Sequence, residues 1–225
     1  AAVPEGEKKV DLSDLENRYW AAKDTEFTVV QNRLYTKEKK FALTAINGPI
    51  VSDTYSTAWN YGLALDYYFS ERHGVEVQGW LTSASDSDVT GAFKTTNGFM
   101  PDHNKPKGYV GANYVWVPVY AKLSLLEKKI LYFDMYFAPG IGMTMLEAET
   151  FAQPPNAKPA GPKQQALTLA LDVDQQVFIS EHWALRLDAR NHIYQEKVYQ
   201  ASSGNERRTK TTFYSSIMFG ITFFQ

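Results

Sequence analysis

The chain has 225 residues, 44% of them hydrophobic and 21% charged, with a formal net charge of -2 at pH 7. That is the size of one all-β domain, too apolar for a disordered chain and without the basic surplus that nucleic-acid binding asks for. The absence of cysteine excludes a disulfide framework, a thiolate metal site and a lipidated-cysteine anchor.

Mean hydropathy is -0.36, and no stretch nears the roughly 20 consecutive apolar residues of a spanning helix. A barrel strand, by contrast, crosses lipid in about 9–11 residues and spends alternate positions on the lumen, so it leaves hydropathy low. The 14% aromatic share suits interfacial aromatic girdles.

The opening AAVPEGEKK has no apolar signal core, and its small residues fit a mature end left by a signal peptidase. Residues 11–20, DLSDLENRYW, begin with cap-like Asp and Ser and predict a short helix. EFTVVQNRLY (26–35) reads as a short strand or plug segment, with the charged TKEKK after it. Residues 1–39 are therefore expected to be a periplasmic extension or plug, and residues 40–225 the barrel wall.

From residue 40 one unit recurs: an alternating segment, then a connection, with the connections alternately short and long. The segments are 40–51, 57–69, 75–82, 109–126, 130–146, 166–178, 184–199 and 211–225. Eight is an even number and the smallest closed transmembrane barrel. SERHG (70–74), EKK (127–129) and ISEHW (179–183) are the short turns, while 83–108, 147–165 and 200–210 are long and rich in Gly, Pro, Asn, Ser, Asp and Lys. FAQPPNAKPAGPK cannot be a strand, because its prolines lack the ladder donor. Short turns at one end and long loops at the other predict an antiparallel up-and-down meander whose two ends face different surroundings.

Parity then separates two faces. In WNYGLALDYYF, Trp59, Tyr61, Leu63, Leu65, Tyr67 and Phe69 alternate with Asn60, Gly62, Ala64, Asp66 and Tyr68. Trp59 and Phe69 are expected near opposite lipid interfaces, with Gly62 and Ala64 leaving room inside for bulky neighbours. In the fifth segment Leu131, Phe133, Met135, Phe137, Ile141 and Met143 oppose Tyr132, Asp134, Tyr136, Ala138, Gly140, Gly142 and Thr144. Those small residues suit a narrow lumen, which Tyr114, Trp116, Pro118 and Tyr120 on one parity are expected to crowd further.

Residues directly opposite in an antiparallel hairpin have a constant index sum. Centring the first turn on Arg72 sets Asp66 opposite Gln78 and Tyr68 opposite Glu76. Centring the second on Lys128 sets Lys122 opposite Asp134 and Tyr120 opposite Tyr136. Centring the third on Glu181 sets Gln176 by Arg186, Asp174 by Asp188 and Asp172 by Arg190, where the like-charged pair needs both arginines as diagonal neighbours. Burying so many ionised groups in a dry core costs several kcal/mol per ion unless each is paired. A barrel lumen lets them pair across strands. A soluble lipocalin-like barrel would instead set Asp66, Lys122, Asp134, Asp172 and Arg190 outside, on a face with too few Lys and Glu for water.

VVQNRLYTK (29–37), VPVYAKLSLLEKKILYFDMY (117–136), DQQVFISEHWALRLDARNHIY (174–194) and the final FGITFFQ resemble the small outer-membrane β-barrel family of myxobacteria and predatory bdellovibrios. The block Pro118, Tyr120, Lys122 followed by Asp134 is its most specific part. The resemblance spans most of residues 27–225 and implies a fold and a location, the outer membrane of a Gram-negative bacterium with both termini periplasmic. It assigns no activity. The tail also resembles the terminal-strand signal of the barrel-assembly machinery, with Gly220 and Phe223 in place and Gln225 where an aromatic residue is usual.

The sites weighed are few. The polar pairs Lys122–Asp134 and Asp172–Arg190 either line an ion path or seal the lumen, and eight strands leave just enough space for side chains to fill. Of four histidines, His73 and His182 lie in short turns and His103 in a loop. His192 alone is placed to serve as a base near the outer rim, with Ser202 and Ser203 as conceivable nucleophiles but no catalytic motif. The acidic DSD (86–88) and PDH (101–103) are weak cation candidates, and no cofactor or metal is expected. The basic ERRTK (206–210) falls where lipopolysaccharide phosphates lie. The reading is thus an outer-membrane barrel with a structural or surface-contact role, its partners being outer-membrane lipids, lipopolysaccharide and the assembly machinery. Its alternatives are a small pore or hydrophobic-ligand transporter, and a lipid-modifying enzyme.

Overall fold

The computed structural model describes residues 33–98, 102–125, 129–148, 162–199 and 206–225. The predicted helix at 11–20 and most of the segment 26–35 lie outside them, as do Ser202 and Ser203. The barrel unit runs Leu34–Gln225.

Eight strands follow in order: β1 (Phe41–Pro49), β2 (Ser56–Tyr68), β3 (His73–Asp86), β4 (Asn104–Leu125), β5 (Lys129–Ala148), β6 (Lys163–Phe178), β7 (Trp183–Tyr199) and β8 (Glu206–Phe224). Each pairs antiparallel with the next, and β1 closes on β8 from Ala42↔Phe224 to Asn47↔Phe219. Closure leaves no edge strand. Both the start of β1 and the end of β8 sit at the short-turn end, where the Gln225 amide donates to the Phe41 carbonyl at 3.0 Å.

At the loop end the strands run further than predicted. β3 continues to Asp86, β4 begins at Asn104 and β8 at Glu206. Pro106 is tolerated inside β4 because the ladder shifts register between Pro106 and Gly108, where a missing donor costs no regular bond. Part of the predicted loop 83–108 is a helix, α1 (Asp88–Asn97). The Ser87 hydroxyl caps it by accepting the Thr90 amide, and Gly98 ends it in a left-handed conformation at φ 73°.

The parity resolves as the alternation predicts for most strands. Leu63 and Leu65 of β2, Leu167, Leu169 and Leu171 of β6, and Phe219 and Ile221 of β8 are about half exposed, whereas Asp66, Asp172, Asp174 and Arg186 are buried. An exposed apolar belt around a closed, polar-filled barrel has one compatible solvent, the hydrocarbon of a bilayer. The chain is an eight-stranded transmembrane β-barrel.

Trp59 and Phe69 both face outward. Their separation along β2 spans about 33 Å of strand, or about 25 Å of membrane normal at a barrel tilt near 40°. At the turn end the outward aromatics pack in four groups spaced around the barrel. Phe41 packs on Tyr67 (4.7 Å between ring centres), Phe69 on His73 (6.3 Å), His73 on Tyr114 (5.9 Å), Trp116 on Phe137 (6.2 Å) and Trp183 on Phe223 (5.1 Å). At the loop end the belt holds Trp59 against Tyr61 (6.4 Å).

β4 departs from its predicted parity. A register shift between Trp116 and Val119 turns the strand over around Pro118. Above it Tyr109, Asn113, Val115 and Val117 point inward, while Tyr114 and Trp116, each 46% exposed, face lipid. Below it Tyr120 returns inward opposite Asp134. The expected crowding of the lumen by Tyr114 and Trp116 is therefore wrong, because a bulge inserts one residue and exchanges the faces.

Candidate functional site

The lumen is filled in three layers, and the middle one carries most of the charge. Five carboxylates, Asp66, Glu76, Asp172, Asp174 and Asp188, surround Arg186 and Arg190, all of them buried. The Arg186 guanidinium reaches Asp66 (3.4 Å), Asp174 (3.5 Å), Asp188 (2.7 Å) and, most closely, Glu76. Arg190 reaches Asp172 (3.1 Å), Glu76 (3.4 Å) and Asp188 (2.8 Å). Asp188 thus lies between two guanidiniums, and Gln78 and Asn113 add amide donors to Asp172 at 3.1 and 2.8 Å. The arginine planes also cover aromatic faces, Arg186 over Tyr136 (5.2 Å) and Arg190 over Trp80 (5.6 Å).

The register explains how these groups meet, and it sorts the predicted pairs. The third hairpin is as its index sum requires: Gln176↔Arg186, Asp174↔Asp188 and Asp172↔Arg190, with both arginines diagonal to Asp188. The first hairpin is shifted by two, giving Asp66↔Glu76 and Tyr68↔Gly74 rather than Asp66–Gln78 and Tyr68–Glu76. Its turn is tighter than SERHG, since the Ser70 amide donates to the His73 carbonyl. The second hairpin is shifted likewise, giving Tyr120↔Asp134 and Lys122↔Tyr132. An even shift preserves parity, so Asp66, Glu76 and Asp134 keep the inward face while their partners change.

Lys122 does not pair with Asp134. It is exposed at the rim, over the Tyr132 ring at 5.4 Å. Lys37, from the segment that precedes β1, lies beside Asp134 instead; both side chains are fully buried and in ion-pair contact. Lys37 also lies over the Tyr68 ring at 4.7 Å, and Tyr35 stacks on Phe178 at 5.4 Å and meets Tyr132 edge-on at 5.5 Å. With Tyr136 and Phe224 these groups make the lower layer, closing the turn end of the lumen. No hairpin sum could have found Lys37, because it is not in a strand.

The upper layer is aromatic. The His192 ring lies 4.2 Å from Tyr109, 5.3 Å from Trp80 and 6.1 Å from Tyr214, with Ile46 and Met218 beside them. His192 is thus a packed lumen side chain, 1% exposed, whose Nε2 is 3.8 Å from Asp172. Glycine makes this layer possible. The Tyr109 hydroxyl lies where a Cβ on Gly111 or Gly142 would stand, Trp80 lies against Gly62, and the Asn113 amide fills the space over Gly140. Replacing Gly142 with valine is expected to cost about 1–3 kcal/mol by overpacking. The urea midpoint should fall and the Trp80 emission shift, since Trp80 packs on Tyr109 at 4.5 Å.

Above the layers the loop end opens as a vestibule of about 380 Å³. Tyr194 and Tyr214 form its floor and Glu196, Arg208 and Lys210 part of its wall. The candidate cation motifs are committed elsewhere: Asp86 pairs with Lys105 (2.5 Å), Asp102 pairs with Arg207 (2.5 Å), and Asp88 lies in the first turn of α1. Among the described residues no three His, Cys, Asp or Glu side chains are grouped to hold a metal.

No protein-family model matches the sequence, and no curated protein matches it. Solved structures similar to the chain include the N-terminal β-barrel domain of OprF from Pseudomonas aeruginosa, at 8% identity and a TM-score of 0.48, covering 84% of this chain and 98% of that one. OprG from Pseudomonas aeruginosa matches at 14% identity and 0.47, covering 85% and 98%. Ail, the attachment invasion locus protein of Yersinia pestis, matches at 14% and 0.42, covering 84% and 99%.

Proposed function

We propose that the chain is an integral outer-membrane barrel that does not conduct and that acts through its outer surface. The observation that carries this is the filled lumen: an aromatic layer, an ion network and the Lys37 closure lie in series along one narrow axis. Eight strands leave room for side chains and little else. In planar bilayers the purified protein is expected to give no stepwise openings; discrete conductance steps would sink the reading and favour the small-pore alternative.

The location is supported by the apolar belt and by the asymmetry of short turns and long loops, and the resemblance to barrels of myxobacteria and bdellovibrios agrees with it. In this reading both chain termini are periplasmic and the long loops face outward. The outward parity of β8, with Phe219, Ile221 and Phe223 exposed, is what the assembly machinery would meet, and lipopolysaccharide phosphates would meet the basic outer rim.

A further inference from the structure

Three carboxylates line the vestibule, and each is already engaged. Asp53 accepts the backbone amides of Tyr55 (2.9 Å) and Ser56 (3.2 Å), and Asp102 holds Arg207. Glu196 accepts the Asn104 side-chain amide (2.7 Å) and the Thr212 hydroxyl (2.5 Å). Two cations on the same wall are not engaged. Lys210 stands opposite Glu196 and Arg208 opposite Val198 in the β7–β8 register, and among the described residues neither has a carboxylate within 4 Å. Among the described residues Arg208 and Lys210 are therefore the two lining charges with no side chain committed to them, whereas the carboxylates are fixed by neutral donors or by Arg207.

The floor adds a second demand. Tyr194 and Tyr214 lie 6.4 Å apart at 51° and line the cup, each with a small edge of the ring left open. Tyr214 donates its hydroxyl to Asn60, whereas Tyr194, 4% exposed, has no hydrogen-bond partner for its hydroxyl among the described residues. A volume near the low end of ligand sites, about 300–1,000 Å³, admits a solute of about one ring. Open aromatic edges take the apolar face of a ring, an unpaired tyrosine hydroxyl takes one polar group, and a guanidinium beside an ammonium takes a phosphate.

We propose that the vestibule binds a phosphorylated sugar, its phosphate on Arg208 and Lys210 and its ring over Tyr194 and Tyr214. This rests on the reading of the loop end as the outward one. Calorimetric titration of the full chain in detergent micelles reads the site whichever way the barrel faces, so it can fail independently of the orientation and of the conductance result. Glucose 6-phosphate is expected to bind at least tenfold tighter than glucose or inorganic phosphate. The double variant Arg208→Ala/Lys210→Ala should lose at least tenfold with no change in the heat-modified gel shift, because both side chains are exposed. Tyr194→Phe should lose severalfold.

Absence of saturable binding would overturn the proposal, as would equal affinity in the double variant. Inorganic phosphate binding as tightly as the sugar phosphate would overturn the sugar component. Repeating the titration in nanodiscs bearing phosphorylated glucosamine lipids assigns the source: competition supports a lipid headgroup as the occupant, and undiminished binding supports a free phosphorylated sugar.

Discussion

Arg186→Ala is expected to give the largest loss of stability of any single substitution in the lumen. The guanidinium serves Asp66, Glu76, Asp174 and Asp188 together, so its removal leaves buried carboxylates without their shared partner. Breaking one buried pair costs about 3–5 kcal/mol, and here four contacts go at once. The variant should show little heat-modifiable band on an unheated gel and a much lower urea midpoint. Arg190→Ala should cost less, because Glu76 and Asp188 keep Arg186 while Asp172 keeps Gln78 and Asn113. Equal stability of the two variants would refute the central place given to Arg186. Arg186→Lys should recover only part of the loss, since an ammonium is a point charge and cannot fork to four oxygens.

Lys37→Met is expected to cost about 3–5 kcal/mol, although residue 37 lies outside every strand. It removes a cation in contact with the fully buried Asp134 while keeping most of the aliphatic volume over Tyr68. Adding Asp134→Asn should restore most of that stability, because the carboxylate charge that Lys37 balances then disappears. A double-mutant cycle by urea unfolding measures the coupling. If Lys37→Met and the double variant unfold at the same midpoint, Lys37 closes the barrel through packing alone.

The contrast between Arg186 and Lys37 shows what a sequence exposes. Arg186 was legible because β6 and β7 meet in a regular hairpin, and parity plus an index sum suffices there. The first two hairpins kept their faces but slid by two residues, because a turn's centre depends on local hydrogen bonds such as Ser70 to His73 that the letters around it do not fix. Tyr114 and Trp116 were misassigned because a bulge at Pro118 has no periodic signature until the partner strand is known. The reach of Glu76 to both arginines crosses the lumen from β3 to β7, and contacts across a barrel belong to its closure rather than to any segment. The outward bulk of Leu167, Leu169 and Leu171 was the easiest part to see, since lipid asks only for apolarity and not for a particular partner.

The aromatic groups at the turn end have a mechanical consequence. Interfacial aromatics resist moving along the membrane normal, and among the described residues this barrel has most of its outward aromatic contacts, from Phe41–Tyr67 to Trp183–Phe223, at one interface and Trp59, Tyr61 and Phe213 towards the other. A bilayer that thickens or thins will therefore keep its register with the turn end, and the mismatch will be absorbed at the loop end. There the rim of the vestibule would ride higher or lower against the headgroups, so membrane thickness sets how deeply the cup is sunk.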